Sequence, residues 1–413
     1  MKIYKFGGAA VSSADTIRKL AAILQHDEQR LIVVISAMGK TTNALELIVR
    51  NYFNGDDYSQ ELSAIHAYHE AIMNDLKLEN RRLPKRIWMQ LLSALDQAPS
   101  LDFNYEYDQI VSFGELLSTA IVSAFLHENA LNNDWIDIRS CLRTDEQYRE
   151  ALVDWAITER LCVELFAKSS ARINITQGFI GATRTNQTTT LGREGSDYSA
   201  AILGNVLSAQ SVTIWKNVPG VLNANPQDFD CTEKLPELSY KEAIELAYSG
   251  ANVIHPKTMK PLQNKGIPLI VRSYEDLHDQ GTLIHEIDEK LKLPPIYIQK
   301  QMQVLITLQT KDYAFVSVHE LADVFALFKQ KMVKVNLIQQ AAIQISFCID
   351  EPEFHLQDII NELSLKFETR YNKGLTLATI RYYNEESIGR MIAGRNVLME
   401  QRSRKTIKMV LQA

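Results

Sequence analysis

The sequence predicts an α/β layered domain followed by a smaller α+β region. Three observations carry this. "KIYKF" at 2–6 and "LIVVIS" at 31–36 flank a helical stretch, roughly 13–24, and strand–helix–strand is the unit of a parallel sheet. "LIVVIS" is a continuous β-branched run, the pattern of a strand buried on both faces. After about residue 296 the texture changes to alternating strands, "MQVLITL" and "AIQISFCI".

Further strands of the first domain are predicted at "DWIDIR" (134–139), "RINIT" (172–176), "SVTIW" (211–215) and "IPLIVR" (267–272), with helical patterns between them. Ser112 has Glu115 three residues on, and Ser239 has Glu242. Both read as capping boxes that open helices. The second helix, "YKEAIELAYSG", stops at Gly250, a left-handed cap. Residues 1–285 form one large domain on this reading. The charged, then proline-rich stretch at 286–296 is a linker. Residues 297–413 continue with the helix "VHELADVFALFKQK", the strand "KVNLI" and the helix "FHLQDIINELSL". That is the ferredoxin-like order β-α-β-β-α-β. A second set, "LTLATIRYY", "NEESIGRMIA", "NVLMEQRS" and "TIKMVLQA", is a shortened copy without room for its last helix.

A chain of 413 residues exceeds one ordinary core. Hydrophobic content of 46% with 23% charged residues is the profile of a soluble globular protein. The net charge of -6, with no long basic block, excludes a nucleic-acid protein that works by neutralising phosphates. Cys141, Cys162, Cys231 and Cys348 lack CxxC spacing and read as small buried hydrophobes in a reducing compartment. "MKIYKFGG" holds no signal-peptide apolar region, and no apolar run approaches membrane-spanning length. A cytoplasmic protein with no membrane partner is expected.

No GxxxxGK[ST] occurs, and the first βα turn has no GxGxxG. Lys5 ends a strand beside Gly7 and Gly8. A lysine there can reach the cleft at the carboxyl edge of an open sheet, and glycines let backbone N–H groups approach a phosphate. A snorkelling lysine and a plain turn are the ordinary alternative. "SAMGKTTN" (36–43) is a small-residue loop opening a helix, either an anion site or a capped loop. Glu115 is explained by its capping box. In "TTTLGREGSDYSAA" (188–201), Ser196 or Asp197 can cap the following helix, and Arg193 offers a fork suited to a carboxylate.

The motifs "KFGG", "VVISAMGKTTN", "SFGELLST", "TQGFIGAT", "TTTLGREGSDYSAA", "VPGV" and "LSYKEAIELAYSGANVIHPKT" occur in the order and spacing of the aspartokinases. The resemblance spans residues 2 to about 285. The part after it resembles the ACT regulatory modules of that family, and no dehydrogenase-sized segment follows, so a monofunctional form is expected. The resemblance implies the amino-acid-kinase fold, three layers with a mainly parallel eight-stranded sheet between helices. It implies phosphorylation of L-aspartate to 4-phospho-L-aspartate by ATP with Mg2+, the metal carried by the nucleotide. Carried over by motif, Lys5 stabilises the transferring phosphoryl group, and Asp197 organises that lysine and the nucleotide. Arg193 holds the substrate α-carboxylate and Glu115 its α-ammonium, with Ser36, Thr41, Phe179 and Ser196 completing the pocket. Gly7, Gly8, Lys216, Asn217, Gly220, Leu222, Asn225, Gln227 and Lys257 fall on the nucleotide side. A homodimer or larger homo-oligomer through the ACT region, and a lysine or threonine effector there, are also implied.

Several positions depart from the family pattern. Ala9-Ala10 replace Thr-Ser, Asn217 and Asn225 replace aspartates, Leu222 a tyrosine and Gln227 an arginine, and Asn252 stands where many members have lysine. These lie on the nucleotide side and motivate a second reading, a catalytically weak homologue acting as an amino-acid-sensing subunit. In the ACT region "AFVS" (314–317) replaces a glycine turn, and Asn336 replaces the Asp of lysine-responsive members. Glu194 replaces a glycine. At ~7 Å and an effective dielectric of ~20, its charge costs an anionic ligand about 2 kcal/mol. Its side chain is expected to turn outward or to pair with Lys216 or Lys257.

Overall fold

The computed structural model describes residues 1–251, 254–287, 291–352 and 355–412. Asn252 lies outside them. In chain order the strands are β1 (Lys2–Phe6), β2 (Leu31–Ile35), β3 (Asn133–Ile136), β4 (Ile173–Gln177), β5 (Ile180–Ala182), β6 (Thr188–Thr190), β7 (Val212–Lys216), β8 (Glu237–Ser239), β9 (Leu269–Ser273) and β10 (Thr282–His285). After Ile296 follow β11 (Ile296–Thr310), β12 (Val335–Gln340), β13 (Gln344–Asp350), β14 (Phe367–Arg381), β15 (Asn396–Arg402) and β16 (Thr406–Gln412).

The first sheet has eight strands in the order β3-β4-β2-β1-β7-β9-β10-β8. All neighbours run parallel except β9 and β10. This agrees with the expected fold class. β2 is buried along its whole length, as its β-branched run requires. Phe6 and Trp215 stack with ring centroids 5.9 Å apart, binding β1 to β7. Phe6 pairs with Ile35 and Trp215, and Ile35 with Gln177. The loops after β1, β2, β4 and β7 therefore leave the sheet at one edge, where open α/β folds hold ligands.

Two sequence expectations fail at the helices. Ser112 does not cap a helix. It has helical backbone angles and joins Phe103–Val111 to Phe113–Glu128, while its hydroxyl donates to the Gln109 carbonyl. The combined stretch is long and apolar enough to cross a bilayer, contrary to the expectation, yet 94% of its most apolar window is buried inside the fold. It is the core helix of this domain. Ser196 and Asp197 do not cap their helix either. The helix Gly195–Val206 starts ahead of both, with Glu194 at its N-cap in the left-handed conformation at φ 57°. At Ser239 the capping bond does form, to the Glu242 N–H at 3.1 Å. "DWIDIR" is strand only to Ile136 and turns into a 3-10 helix at Ile138–Ser140. Cys141, Cys162 and Cys348 are buried as expected, but Cys231 is exposed.

The described residues divide into two compact units that do not follow the chain contiguously. The first holds residues 1–221, 234–244 and 254–287, and the second holds 222–233, 245–251 and the described residues from 291 on. In the second unit the Tyr297 N–H donates to the Asn223 carbonyl at 2.7 Å, and Phe229 lies 5.1 Å from the Tyr297 ring. Its six-stranded sheet runs β12-β13-β11-β14-β16-β15. One half of β11 and one half of β14 belong to each of two modules. Residues 303–310, β12, β13 and 367–372 complete the first. The second is 375–381, the helix Glu385–Ile392, β15 and β16, and its fourth strand is 296–300 from upstream. The shortened copy lacks its second helix, as read from the sequence, but recruits its last strand from the segment before the first module.

A Cβ on Gly8 would stand 2.8 Å from the Ala37 carbonyl oxygen and 3.0 Å from that of Gly39. Both obstacles are backbone, so they cannot rotate away. Gly8→Ala is expected to cost about 1–3 kcal/mol through overpacking, read as a lower urea midpoint. An unchanged midpoint would show that these two loops can move apart freely.

Candidate active site

At the carboxyl edge of the first sheet lies a cavity of about 800 Å3. Lys5 reaches it from the end of β1 and Asp197 from the first turn of the helix Gly195–Val206. Their ion pair is 2.6 Å long, and Asp197 is 1% exposed. Among the described residues the Asp197 carboxylate has no partner apart from Lys5. A negative group in the first turn of a helix is favoured by the macrodipole.

Glu115 enters from the helix Phe113–Glu128 and is 2% exposed. Its Oε1 accepts the Ala37 N–H at 3.0 Å, and its Oε2 has no partner among the described residues. Burial pushes its carboxyl up to about 8, against the opposing effects of the Ala37 N–H and the Lys5 ammonium. A buried carboxylate with one open oxygen is built to accept a cationic donor. The capping-box explanation of Glu115 thus falls away with the missing cap.

Ser36, Phe179, Arg193 and Ser196 also line the cavity. Thr41 does not. Its hydroxyl donates to the Met38 carbonyl at 2.6 Å, and its neighbour Thr42 faces the cavity in its place. Gly178 allows the assembly, because a Cβ there would lie 2.6 Å from the Ser196 Cβ. Arg149, Phe179, Gly192 and Glu194 all line the cavity with positive φ, at 71°, 68°, 76° and 57°. Such backbone strain collects where a fold must aim groups at a ligand. Arg149 is anchored through its N–H to Asp108 at 3.0 Å, a buried carboxylate that also accepts from Thr190. Burial pushes Asp108 up to about 6, against those hydrogen bonds.

Sequence reasoning missed Thr42, Asn43, Glu46, Tyr107 and Arg149 in the cavity wall. Only the first pair had a signal, standing in the loop-to-helix motif already singled out. Tyr107 donates to Glu46 and carries Arg149 over its ring at 4.5 Å.

None of the expected nucleotide residues lines this cavity. Gly7 caps the short helix after β1, and Gly8 is wedged as described above. Lys216 ends β7, with exposed Asn217 after it, and Gly220 takes φ 148° against Thr282. Leu222, Asn225 and Gln227 belong to the second unit. Asn225 there donates to Asp228 and accepts the Gln227 N–H. Lys257 does not pair with Glu194: its ammonium donates to the Leu191 carbonyl at 3.0 Å over the Tyr198 ring, beside a separate pocket of about 450 Å3. Among the described residues no three His, Cys, Asp or Glu side chains converge on a metal site. A cation beside Asp197 would need further oxygens from a ligand.

The amino acid kinase family model matches residues 1–273. Lysine-sensitive aspartokinase 3 of Escherichia coli is 31% identical over 396 residues, covering 92% of this chain and 86% of that protein. The chain belongs to the aspartokinases. Aspartokinase 2 of Arabidopsis thaliana is 30% identical over 88% of this chain and 68% of that protein. The bifunctional aspartokinase/homoserine dehydrogenase of Daucus carota is 32% identical over 90% of this chain, which spans 42% of that longer protein. Among solved structures, Escherichia coli aspartokinase III in complex with aspartate and ADP superposes at a TM-score of 0.81, with 28% identity, over 100% of this chain and 96% of that one. The same protein in complex with lysine and aspartate gives 0.82 over 99% and 95%.

The Glu115 carboxyl predicts a pH effect on stability. Its folded value near 8 lies above its ordinary 4.5. Between those values the folded state holds a proton that the unfolded chain has released, so stability falls as pH rises through this window. Glu115→Gln removes that slope. Urea midpoints at about pH 6 and pH 8 should fall more steeply for the wild type, by on the order of 1 kcal/mol per pH unit. Parallel profiles would place the Glu115 carboxyl at its ordinary value.

Proposed function

We propose that the enzyme transfers the γ-phosphoryl group of ATP to the side-chain carboxylate of L-aspartate, giving 4-phospho-L-aspartate and ADP, the first step toward lysine, threonine and methionine. One arrangement carries this reading. A buried lysine–carboxylate pair, an open buried carboxylate and an arginine fork share one cavity at the sheet edge. The relatives supply the substrate class, since the Escherichia coli structure holds aspartate and ADP.

The chemistry follows from the groups. An aspartate β-carboxylate oxygen attacks the γ-phosphorus, the bond from phosphorus to the bridging oxygen breaks, and ADP leaves. The nucleophile is already ionised, so no general base is required. Catalysis reduces to alignment and stabilisation of charge on the phosphoryl oxygens. Lys5 supplies that charge, and Asp197 holds it in place. Arg193 takes the α-carboxylate, and Glu115, once ionised, takes the α-ammonium. The nucleotide would enter as its magnesium complex, and Asp197, whose Oδ1 is held by Lys5, would have Oδ2 left for it. Gly7, Gly8, Lys216, Asn217, Gly220, Leu222, Asn225, Gln227 and Lys257 remain the proposed nucleotide side. An amino-acid effector, lysine or threonine, acts at the C-terminal sheet. There the Asn336 side chain is already bonded to Lys300, Gln303 and Asp350, so an effector amine has to displace Lys300 or bind elsewhere.

ATP-dependent formation of an acyl hydroxamate from aspartate, with and without lysine or threonine, tests the reading directly. Absence of product from a nucleotide-binding chain would favour the sensing-subunit alternative. Arg193→Ala is expected to raise the aspartate KM about ten- to a hundred-fold, the worth of a charge-assisted bidentate contact. An unchanged KM would remove Arg193 from the pocket. Lys5→Met should collapse kcat while aspartate still binds, and substantial retained turnover would sink that role. The full chain should sediment as a homodimer or larger species through the C-terminal sheet, whose β12 and β15 are open edges. A concentration-independent monomer would overturn this.

A further inference from the structure

The active cavity carries two charged side chains at positions where the backbone itself favours glycine. Arg149 has φ 71° and Glu194 has φ 57°. Both are exposed, and both line the same cavity. Neither enters an ion pair among the described residues. Their loops abut: a Cβ on Gly192 would stand 3.2 Å from the Arg149 carbonyl oxygen and 3.2 Å from the Glu150 Cγ. Of the two lysines expected to pair with Glu194, Lys257 is committed to the Leu191 carbonyl and the Tyr198 ring, and Lys216 does not line this cavity.

We infer that Arg149 and Glu194 act as a charge pair at the mouth of the active cavity. Arg149 cancels the repulsion that Glu194 exerts on the anionic substrates, and so tunes their affinity as a positioning residue. The placement of Arg149 is built rather than incidental. Its N–H is pinned by buried Asp108 at 3.0 Å, and its guanidinium is laid over the Tyr107 ring at 4.5 Å. The hydroxyl of that ring is in turn held by Glu46. Stacking on an aromatic face fixes a guanidinium without neutralising it. The cation is thus held in the cavity with its charge available, while Glu194, at the N-cap of the helix that carries Asp197, projects the opposite charge into the same space. Two charges of opposite sign facing one cavity largely cancel for a ligand approaching it, and either one alone does not.

The inference rests on the reading of this cavity as the substrate site. Its test uses neutral variants, which leave the backbone demand of each position alone: Arg149→Gln, the isosteric Glu194→Gln and the double variant. Aspartate binding by the full-length chain is followed by calorimetry, alongside the KM for aspartate and for ATP. Exposed charge effects are modest, so each single change should move affinity by about two- to fivefold. The signs are opposite: Arg149→Gln weakens binding, Glu194→Gln tightens it, and the double variant returns to within about twofold of the wild type. Both single effects should shrink as ionic strength rises, because the Debye length is about 10 Å at 0.1 M salt. A structural role for Arg149 would lower the unfolding midpoint and show no such salt dependence. Affinity that ignores Glu194→Gln in both backgrounds overturns the pair, as does weakening by both single variants. Wild-type turnover in the same assays tests the substrate reading separately, and the calorimetric arm reads the pair whether or not turnover occurs.

Discussion

The ion pair between Lys5 and Asp197 is the constraint around which the active site is arranged. A lysine and a carboxylate buried at 2.6 Å cost several kcal/mol each in lost hydration, and only close geometry offsets this. That geometry comes from two elements remote in sequence. The parallel register of β1 between β2 and β7 ends the strand so that Lys5 faces the cavity. The helix Gly195–Val206 brings Asp197 in on its first turn, and it fits there because Gly178 has no side chain to strike Ser196. The left-handed N-cap at Glu194 and the left-handed Phe179 aim these same loops. The strain is tolerated because the sheet and helix on either side leave the loops little alternative.

The remaining cavity groups have a polarity that suits an amino acid. Glu115 offers one open acceptor oxygen in a dry environment, and Arg193 offers donors at the solvent side. Burial pushes the Glu115 carboxyl up to about 8, so a substrate ammonium and the ionised form of Glu115 favour one another. The dry carboxyl thus takes on its charge together with a cationic substrate group rather than ahead of it. That favours a ligand carrying both an amine and a carboxylate over a simple dicarboxylic acid.

Much of this was legible in the sequence, for identifiable reasons. Strands such as β2 and β4 are rich in β-branched residues and buried along their whole length, so their residues alone announce them. Lys5, Arg193 and Asp197 stood in motifs whose order is specific. Glu115 was obscured because a serine three residues earlier mimics a capping box. The pattern cannot reveal that the chain is already helical at Ser112. Thr41 and Thr42 are adjacent and chemically identical, and only the pitch of the helix starting at Thr41 decides which hydroxyl faces the cavity. Arg149 lies in a loop with no periodicity, and its role depends on Tyr107 and Asp108, far away in sequence. The fourth strand of the second C-terminal module was hidden for the same reason: it is supplied by residues 296–300, upstream of the whole first module.

The C-terminal sheet repeats, in its own way, the charge logic of the active cavity. Where β11 bulges between Lys300 and Gln303, the Lys300 ammonium sits on Asp350 at 2.7 Å and on the Asn336 oxygen at 2.9 Å. Asn336 donates onward to Gln303 and Asp350. Within this cluster one carboxylate faces one ammonium, and the amide groups satisfy what remains. An aspartate in place of Asn336 would add a second negative charge and leave the cluster short of a cation, the condition under which an amine from outside binds well. With asparagine the cluster is closed on itself. The substitution at Asn336 is thus explained without reference to any effector, as the neutral partner that an internal lysine requires.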